Sequence, residues 1–251
     1  MKSNLYTVDV TPTFVASEME TGAYSDGDII FKSTPVEIPR GIAKLISAQV
    51  IYRGNDGVAQ ASTFDLVFTK DEITVAAGNA AHASKPADIY SVTSPSSSSG
   101  RVPGILGSCR IAPADTTKCG TFSIATKSNL ETGIAIDSVA SNLGLDKFFM
   151  HGVARNNDIE FSNNCAIGES SFGAGTQQTI TVSTTDATTV FAPGDVVHAH
   201  DNAVLGTIAS VTDATTIVLT TSNTDAITGT DGTPDRLYCI NPMEIRLVFE
   251  K

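Results

Sequence analysis

Apolar and polar residues alternate along several short stretches of this chain, while the spacing typical of an amphipathic helix is almost absent. Residues 44–53, KLISAQVIYR, form one such stretch. Successive side chains of a strand point to opposite faces, so the alternation places one apolar set on a common face. That set is Ile46, Ala48, Val50 and Tyr52. The pattern predicts a half-buried β-strand over residues 44–53.

Residues 61–69, ASTFDLVFT, show the same alternation with bulkier side chains. One face carries Phe64, Leu66 and Phe68, and the other carries Asp65 and Thr69. Between the two stretches lies Asn-Asp-Gly at residues 55–57, and Asp-Gly supplies the positive φ that a hairpin turn needs. The sequence therefore predicts that residues 44–53 and 61–69 form a β-hairpin.

Further strands are predicted at residues 28–31, 121–125, 145–155, 236–240 and 244–250. Many short strands separated by Gly, Pro and Asn turns are typical of a sandwich or a barrel. We therefore predict an all-β fold whose main domain is an antiparallel β-sandwich, jelly-roll-like in topology. One short helix is predicted at residues 84–90, and the serine-rich run at 94–100 is predicted to be an exposed loop.

The composition changes abruptly over residues 176–235. This stretch holds 17 Thr and seven Asp but no Lys, Arg or Glu, so it carries −7 of the formal charge of −11. The residues after it are as hydrophobic as the strands before it and are expected to pair with them. We therefore predict a main domain of residues 1–175 plus 236–251, interrupted by an acidic, Thr-rich, small β-barrel-like module at 176–235.

Two nearly identical hexapeptides lie inside this module, TDATTV at residues 185–190 and TDATTI at 212–217. A repeat architecture would need three or more copies, and the residues that flank these two differ at once. Each hexapeptide joins a polar turn to β-branched residues, which favour a strand. The sequence thus predicts two similar turn-to-strand entries.

The overall charge and the cysteine pattern exclude several classes of function. Nucleic-acid binding depends on Lys and Arg, yet acidic residues outnumber basic ones by 27 to 16. No stretch approaches the about 18 apolar residues that cross a bilayer, and the N-terminus lacks a secretory signal. We expect no nucleic-acid or membrane partner, synthesis in the cytoplasm, and four free cysteines.

No motif typical of a nucleotide-binding loop, a nucleophile elbow or a zinc protease is present. His198 and His200 would share one face of a strand and are the strongest metal candidate, although a solvated hairpin is the commoner outcome. Asp225, Asp231 and Asp235 do not match an EF-hand and are better explained as turn residues. The sequence predicts no enzyme activity, no metal and no cofactor.

The main domain resembles a group of virion structural proteins of tailed bacteriophages of marine and cyanobacterial hosts. The resemblance covers residues 34–156 and extends to 236–250. It is carried by PVEIPRGIAKLISAQVIYRGNDGVAQASTFDLVFTK, AAGNAAHASKPADIYS and FFMHGVARN. The matching positions are Leu45, Ser47 and Val50, then Asp65, Leu66 and Phe68, then Asn79, Ala80 and Ala81. The resemblance implies a virion component, specifically a capsid decoration or cement protein.

Such a protein would bind the major capsid protein as a homo-oligomer, for example a trimer, and would be located in the virion. The predicted contacts are an edge-pairing N-terminal arm and an apolar strand, represented by Tyr6, Val8, Val10, Phe148, Phe149 and His151. Two alternatives stay open: a tail adaptor or fibre-associated subunit, and a module that binds host glycans. Sugar sites stack rings on aromatic faces, and Phe191 is the only aromatic residue of 176–235.

Overall fold

The structure is a computed structural model of the chain. It describes residues 5–14, 23–39, 43–70, 72, 105–128, 134–136, 139–140, 145–161, 165–168, 171–183, 186–199, 204–228 and 236–251. The predicted helix at 84–90 and the predicted loop at 94–100 lie outside these ranges.

Regular secondary structure in the described part of the chain is almost entirely β-strand. Its single α-helix, α1, is one short turn at Ala187–Val190, and 3-10 turns lie at Asn55–Gly57 and Pro113–Asp115. The strands are β1 (Leu5–Val10), β2 (Ile29–Pro39), β3 (Ala43–Tyr52), β4 (Thr63–Thr69), β5 (Ile105–Ile111), β6 (Thr116–Cys119), β7 (Phe122–Lys127), β8 (Ile134–Ile136), β9 (Val139–Ala140), β10 (Leu145–Arg155), β11 (Ala166–Ile167), β12 (Ser171–Phe172), β13 (Thr179–Ser183), β14 (Val196–Ala199), β15 (Val204–Asp213), β16 (Thr216–Leu219), β17 (Ile227–Thr228), β18 (Leu237–Cys239) and β19 (Met243–Glu250). The predicted all-β class is confirmed.

Two antiparallel sheets form the main domain. One runs β1-β19-β3-β7-β6 with β8 beside β3, and the other runs β2-β10-β4-β5 with β9 beside β10. Leaving out the short β6, β8 and β9, the first strand pairs with the eighth, the second with the seventh, the third with the sixth and the fourth with the fifth. This nested pairing is the topology of a jelly roll, and it confirms the predicted sandwich.

The main core lies between these sheets. The apolar faces predicted for β4 and β19 both point into it, and their buried members are Phe64, Leu66, Phe68, Ile245, Leu247 and Phe249. Phe148 of β10 packs edge-to-face against Phe68 of its own sheet and Phe249 of the opposite sheet, each at a centroid distance of 6.0 Å. Aromatic packing across the sandwich therefore holds the two sheets together.

The predicted inward position of Ile46 is wrong. The β3–β19 register runs from Ser47 opposite Val248 to Leu45 opposite Phe249, which leaves Ile46 as an extra residue in β3. Such a bulge reverses the alternation, so Leu45 is fully buried and Ile46 is only half-buried. Pattern alone does not show a bulge because the extra residue is itself apolar.

The predicted hairpin between β3 and β4 is also wrong. The two strands lie in different sheets, and the segment between them crosses from one sheet to the other. The turn at Asn55–Gly57 does have the expected positive φ, 50° at Asp56 and 70° at Gly57, but it does not join paired strands. A jelly roll requires this crossing, since its third and fourth strands belong to opposite sheets.

A second, smaller core lies in the sheet ordered β11-β13-β16-β15-β14-β18. The ends of this sheet meet, because Ala166 bridges Arg236 and the Cys165 carbonyl accepts a hydrogen bond of 2.9 Å from the Leu237 amide. The sheet is thus a nearly closed, barrel-like module, as predicted. It follows β10 and precedes β19, so it interrupts the jelly roll before its last strand.

The module extends beyond residues 176–235 at both ends. Its core includes Cys165 and Phe172 on one side and Leu237 and Cys239 on the other. β18, predicted to belong to the main domain, pairs with β14 of the module. The compositional break marks only the threonine-rich part, because the strands at the two ends of the module have an ordinary composition.

The described parts of the two hexapeptides, residues 186–190 and 212–217, lie side by side, with the Ala187 amide donating to the Ala214 carbonyl at 2.9 Å. In each, the Asp carboxylate accepts hydrogen bonds from the amide and the hydroxyl of the Thr two residues later, at 2.7–2.9 Å. Asp213 closes the turn between β15 and β16, as predicted. Asp186 instead caps α1, so the first hexapeptide does not lead into a strand.

Candidate assembly surface

The predicted contact residues of β10 lie inside the protein. Phe148 and His151 have no exposed surface, and Phe149 is 6% exposed. β10 lies between β2 and β4, and both of its faces are covered. A continuous apolar run is typical of a strand buried on both sides, so its hydrophobicity reflects packing. The prediction of a contact surface at Phe148, Phe149 and His151 is therefore wrong for the chain in this conformation.

His151 is a buried imidazole whose Nε2 lies 3.0 Å from Thr69 Oγ1. Its Nδ1 has no hydrogen-bond partner among the described residues. Burial lowers the pKa of His151 to about 4, because the charged imidazolium would lose its hydration. The folded protein therefore keeps this side chain neutral across the physiological range.

The free energy of unfolding is expected to fall by about 2–3 kcal/mol between pH 7 and pH 4 because of this imidazole. The unfolded chain takes up a proton near pH 6.5 and the folded chain only near pH 4, so stability is lost as the pH falls through this window. His151→Gln, which stays neutral, should flatten the profile of chemical unfolding between these pH values. An unchanged slope in this variant would contradict the assignment.

The predicted N-terminal contacts lie on β1, at the margin of the first sheet. Tyr6 stacks on Phe249 at a centroid distance of 5.3 Å, and Val8 and Val10 pack against the main core. β1 pairs along its whole length with β19 of the same chain, from Leu5 opposite Glu250 to Val10 opposite Ile245. One edge of the predicted pairing segment is therefore used within the chain.

The other edge of β1 faces a groove of about 690 Å³. β1 ends the strand order of one sheet and β2 ends that of the other, so the groove is the open side of the jelly roll in the described part of the chain. Its lining comes from residues 8–11 and 13 and from residues 33–37. The hydroxyl of Ser33 is buried there without a hydrogen-bond partner among the described residues.

The two edge strands of this groove differ in their capacity to accept another strand. Pro35 and Pro39 are exposed on β2, and proline has no amide hydrogen to donate to a ladder. β1 contains no proline, and its Leu5 is 64% exposed. Proline on an edge strand discourages pairing, whereas a regular edge with an exposed apolar side chain permits it. β1 is therefore the better edge for strand addition.

The module is joined to the jelly roll by a largely buried ion pair. Arg53, directly after β3, donates from Nη2 to Asp195 Oδ1 at 2.5 Å and from Nη1 to the Val190 carbonyl at 3.3 Å. Asp195 Oδ2 in turn accepts a hydrogen bond from the Ala192 amide at 2.7 Å. The Pro-Gly-Asp turn at residues 193–195 thus supplies a carboxylate that both closes its own turn and pairs with the main domain.

A cleft of about 600 Å³ lies beside this ion pair, between the module and the first sheet. The sheet contributes Ile51 and Phe122, and the module contributes Thr188 and Thr189 of α1. Asn241 and Glu244, where the chain returns to the jelly roll, line the end of the cleft. Clefts at domain junctions are frequent sites for small molecules.

No group of three His, Cys, Asp or Glu side chains with metal-binding geometry occurs within the described ranges. His198 lies half-buried in β14, and His200 is outside the described residues, so the predicted pair stays a hypothesis. All four cysteines are free, as predicted. Burial raises the pKa of Cys109 to about 11 and those of Cys165 and Cys239 to about 12, which keeps them as thiols at neutral pH.

Comparison with protein-family models, with curated proteins and with solved structures finds no match. No helix among the described residues is long and apolar enough to cross a membrane.

Sequence reasoning did not single out Arg53, Ser33, Phe122 or Asn241. A charged residue at the end of a half-buried strand, as Arg53 is, is a weak signal for an ion pair, and it does not indicate the partner. Phe122 and Asn241 belong to stretches that look like ordinary strand and turn. Their meeting depends on how the module docks, which no local pattern shows.

Proposed function

We propose that this chain is a virion structural protein, a capsid decoration or cement protein that binds the major capsid protein of a tailed phage and stabilises the shell. The resemblance over residues 34–156 supports a phage origin. Jelly rolls occur in viral capsid domains, but also in lectins and cupins, so the fold supports the proposal without deciding it. The observation that carries it is the open edge at β1.

The partner is an extended segment of the major capsid protein, which adds to β1 as a further strand. Strand addition gives affinity through backbone hydrogen bonds and specificity through side-chain pockets. The groove beside β1 offers such a pocket, with Val8 and Val10 as apolar walls and the unpartnered Ser33 hydroxyl as a polar contact. An added strand would bury the exposed Leu5 and would form hydrogen bonds with the outward-facing backbone groups of β1.

A double variant, Leu5→Lys/Thr7→Lys, is expected to bind assembled shells of the encoding phage at least about tenfold more weakly than the wild type. Lysines on an edge strand oppose pairing, and both side chains are exposed, so the fold should be retained. Co-sedimentation with undecorated capsids measures the affinity. Deleting the whole arm is less informative, because it would also remove the stacking of Tyr6 on Phe249.

The matched control is Val58→Lys. Val58 is 61% exposed, close to the 64% of Leu5, and it lies in the segment that links β3 to β4, outside the groove beside β1. The control should bind like the wild type. Binding of the double variant to capsids at full occupancy would contradict the assignment of β1 as the capsid-binding edge. If the wild type does not bind capsids but binds tail assemblies, the tail-adaptor alternative would be favoured.

A further inference from the structure

The cleft between the module and the jelly roll has the shape and chemistry of a small-molecule site. Its volume of about 600 Å³ falls in the range of roughly 300–1,000 Å³ that is typical of such sites. Its floor is the outer face of the first sheet, with Ile51 on β3 and Phe122 on β7. Its wall is α1 of the module. The Arg53–Asp195 ion pair fixes the wall against the floor.

Phe122 is an exposed aromatic ring inside this concave site. It is 37% exposed and is one of the few large apolar side chains left in contact with solvent in the described ranges. An aromatic face provides a large contact area at a small cost in conformational entropy, and it packs well on the C–H face of a sugar ring. The described part of the module has no exposed aromatic of its own, since Phe172, Phe191 and Tyr238 are buried, but its docking brings Phe122 opposite its wall.

Polar groups with unused hydrogen-bonding capacity surround the ring. Asn241 Oδ1 accepts a hydrogen bond of 3.2 Å from the Val196 amide, while its Nδ2 has no partner within the described residues. The Glu244 carboxylate is exposed and accepts no hydrogen bond there. The hydroxyls of Thr188 and Thr189 donate to Asp186, so their oxygens still accept. Donors and acceptors therefore both face the cleft, as a ligand rich in hydroxyls requires.

The charges of the lining disfavour an anionic ligand. Arg53 and Asp195 neutralise each other, so the Glu244 carboxylate is the remaining charge of the lining, and its electrostatic partner Arg246 lies outside the lining. The chain as a whole carries a formal charge of −11, which repels anions further. A neutral ligand with several hydroxyl groups meets the hydrogen-bonding groups without this penalty.

We propose that this cleft binds a neutral saccharide, with one sugar ring packed on Phe122 and its hydroxyl groups hydrogen-bonded to Asn241 and Glu244. The site meets the groove beside β1 at Thr11, which lines both, but Phe122, Asn241 and Glu244 lie outside that groove, so saccharide binding does not depend on capsid binding. On a particle, it would add glycan contact to the structural role. The saccharide site is formed by the two domains together, since neither alone supplies both the ring and the wall.

The test is a titration of the full chain, followed by NMR, with the methyl glycosides of glucose, galactose, mannose and N-acetylglucosamine and with lactose and maltose. At least one of these probes should bind with a dissociation constant of about 10 mM or tighter, and binding should not change between low and high salt. Phe122→Ala should weaken that binding at least about tenfold, and Phe122→Tyr should retain it. Asn241→Asp, which keeps the oxygen bonded to Val196, should weaken it as well.

The matched control is Ile105→Ala on β5 of the other sheet, because Ile105 is 38% exposed and lies outside the cleft. It should bind the saccharide like the wild type. Absence of binding for every probe, or full binding by Phe122→Ala, would overturn the proposal. Strongly salt-dependent binding would indicate a charged ligand and would overturn it too. The Leu5→Lys/Thr7→Lys variant should keep saccharide binding, so the two proposals fail independently.

Discussion

Replacing Arg53 with alanine is expected to lower the free energy of unfolding by about 3–5 kcal/mol, because it leaves the Asp195 carboxylate buried without its counter-charge. The Asp195 side chain is only 9% exposed, and that of Arg53 is 19% exposed. The variant also removes the hydrogen bond from Arg53 to the Val190 carbonyl. Chemical unfolding followed by circular dichroism measures the loss.

Arg246→Ala is the matched control for this loss. Arg246 makes a two-pronged ion pair with Asp9, at 2.7 and 3.3 Å, but the two side chains are 46% and 52% exposed. Ion pairs between exposed side chains contribute little to stability, so this variant should unfold close to the wild type. Equal losses in the two variants would show that the Arg53 pair is no more important than a surface contact.

A double replacement separates a buried unpaired charge from the loss of packing. Arg53→Met together with Asp195→Leu removes both charges and keeps much of the volume, so it should recover a large part of the stability lost in Arg53→Ala. Recovery is expected to be incomplete, because Asp195 also accepts the hydrogen bond that closes its own turn. A double variant less stable than Arg53→Ala would contradict this account.

The strands of the jelly roll could be predicted from the sequence wherever the pattern is local. The alternation in β4 and β19 located both strands and the faces that they bury, and the apolar run at residues 145–155 coincides with β10. Strand partners could not be predicted in this way. β3 and β4 are neighbours along the chain and belong to opposite sheets, because pairing in a jelly roll joins strands that are distant in sequence.

The candidate sites depend even more on long-range contacts. Arg53 and Asp195 are 142 residues apart, and neither position shows in its own neighbourhood that the other exists. The apolar run of β10 led to the wrong surface prediction at Phe148, because hydrophobicity alone does not distinguish an interface from a strand buried on both faces. The strand around Tyr6 could be predicted because its alternation is local, whereas its pairing with a capsid protein stays a prediction.

Gly57 packs directly against α1 of the module, and Gly57→Ala is expected to cost about 2–5 kcal/mol. A Cβ at Gly57 would overlap the carbonyl of Thr189 and lie 3.0 Å from the Cα of Val190. The residue also has a φ of 70°, which a side chain disfavours by about 1–2 kcal/mol, and the overlap adds up to about 3 kcal/mol. Chemical unfolding measures the sum.

Gly120→Ala isolates the backbone contribution, since Gly120 has a φ of 67° but no heavy atom within 4 Å of a new Cβ. It should lose only about 1–2 kcal/mol. The difference in stability between the two variants then reports the contact between the module and the segment that links β3 to β4.

Because Thr189 also lines the cleft, Gly57→Ala should weaken saccharide binding in the same titration, whereas Gly120→Ala should preserve it. Equal stability losses in the two variants would mean that the module moves to accommodate the new side chain. This result would contradict the rigid contact between the domains on which the cleft depends.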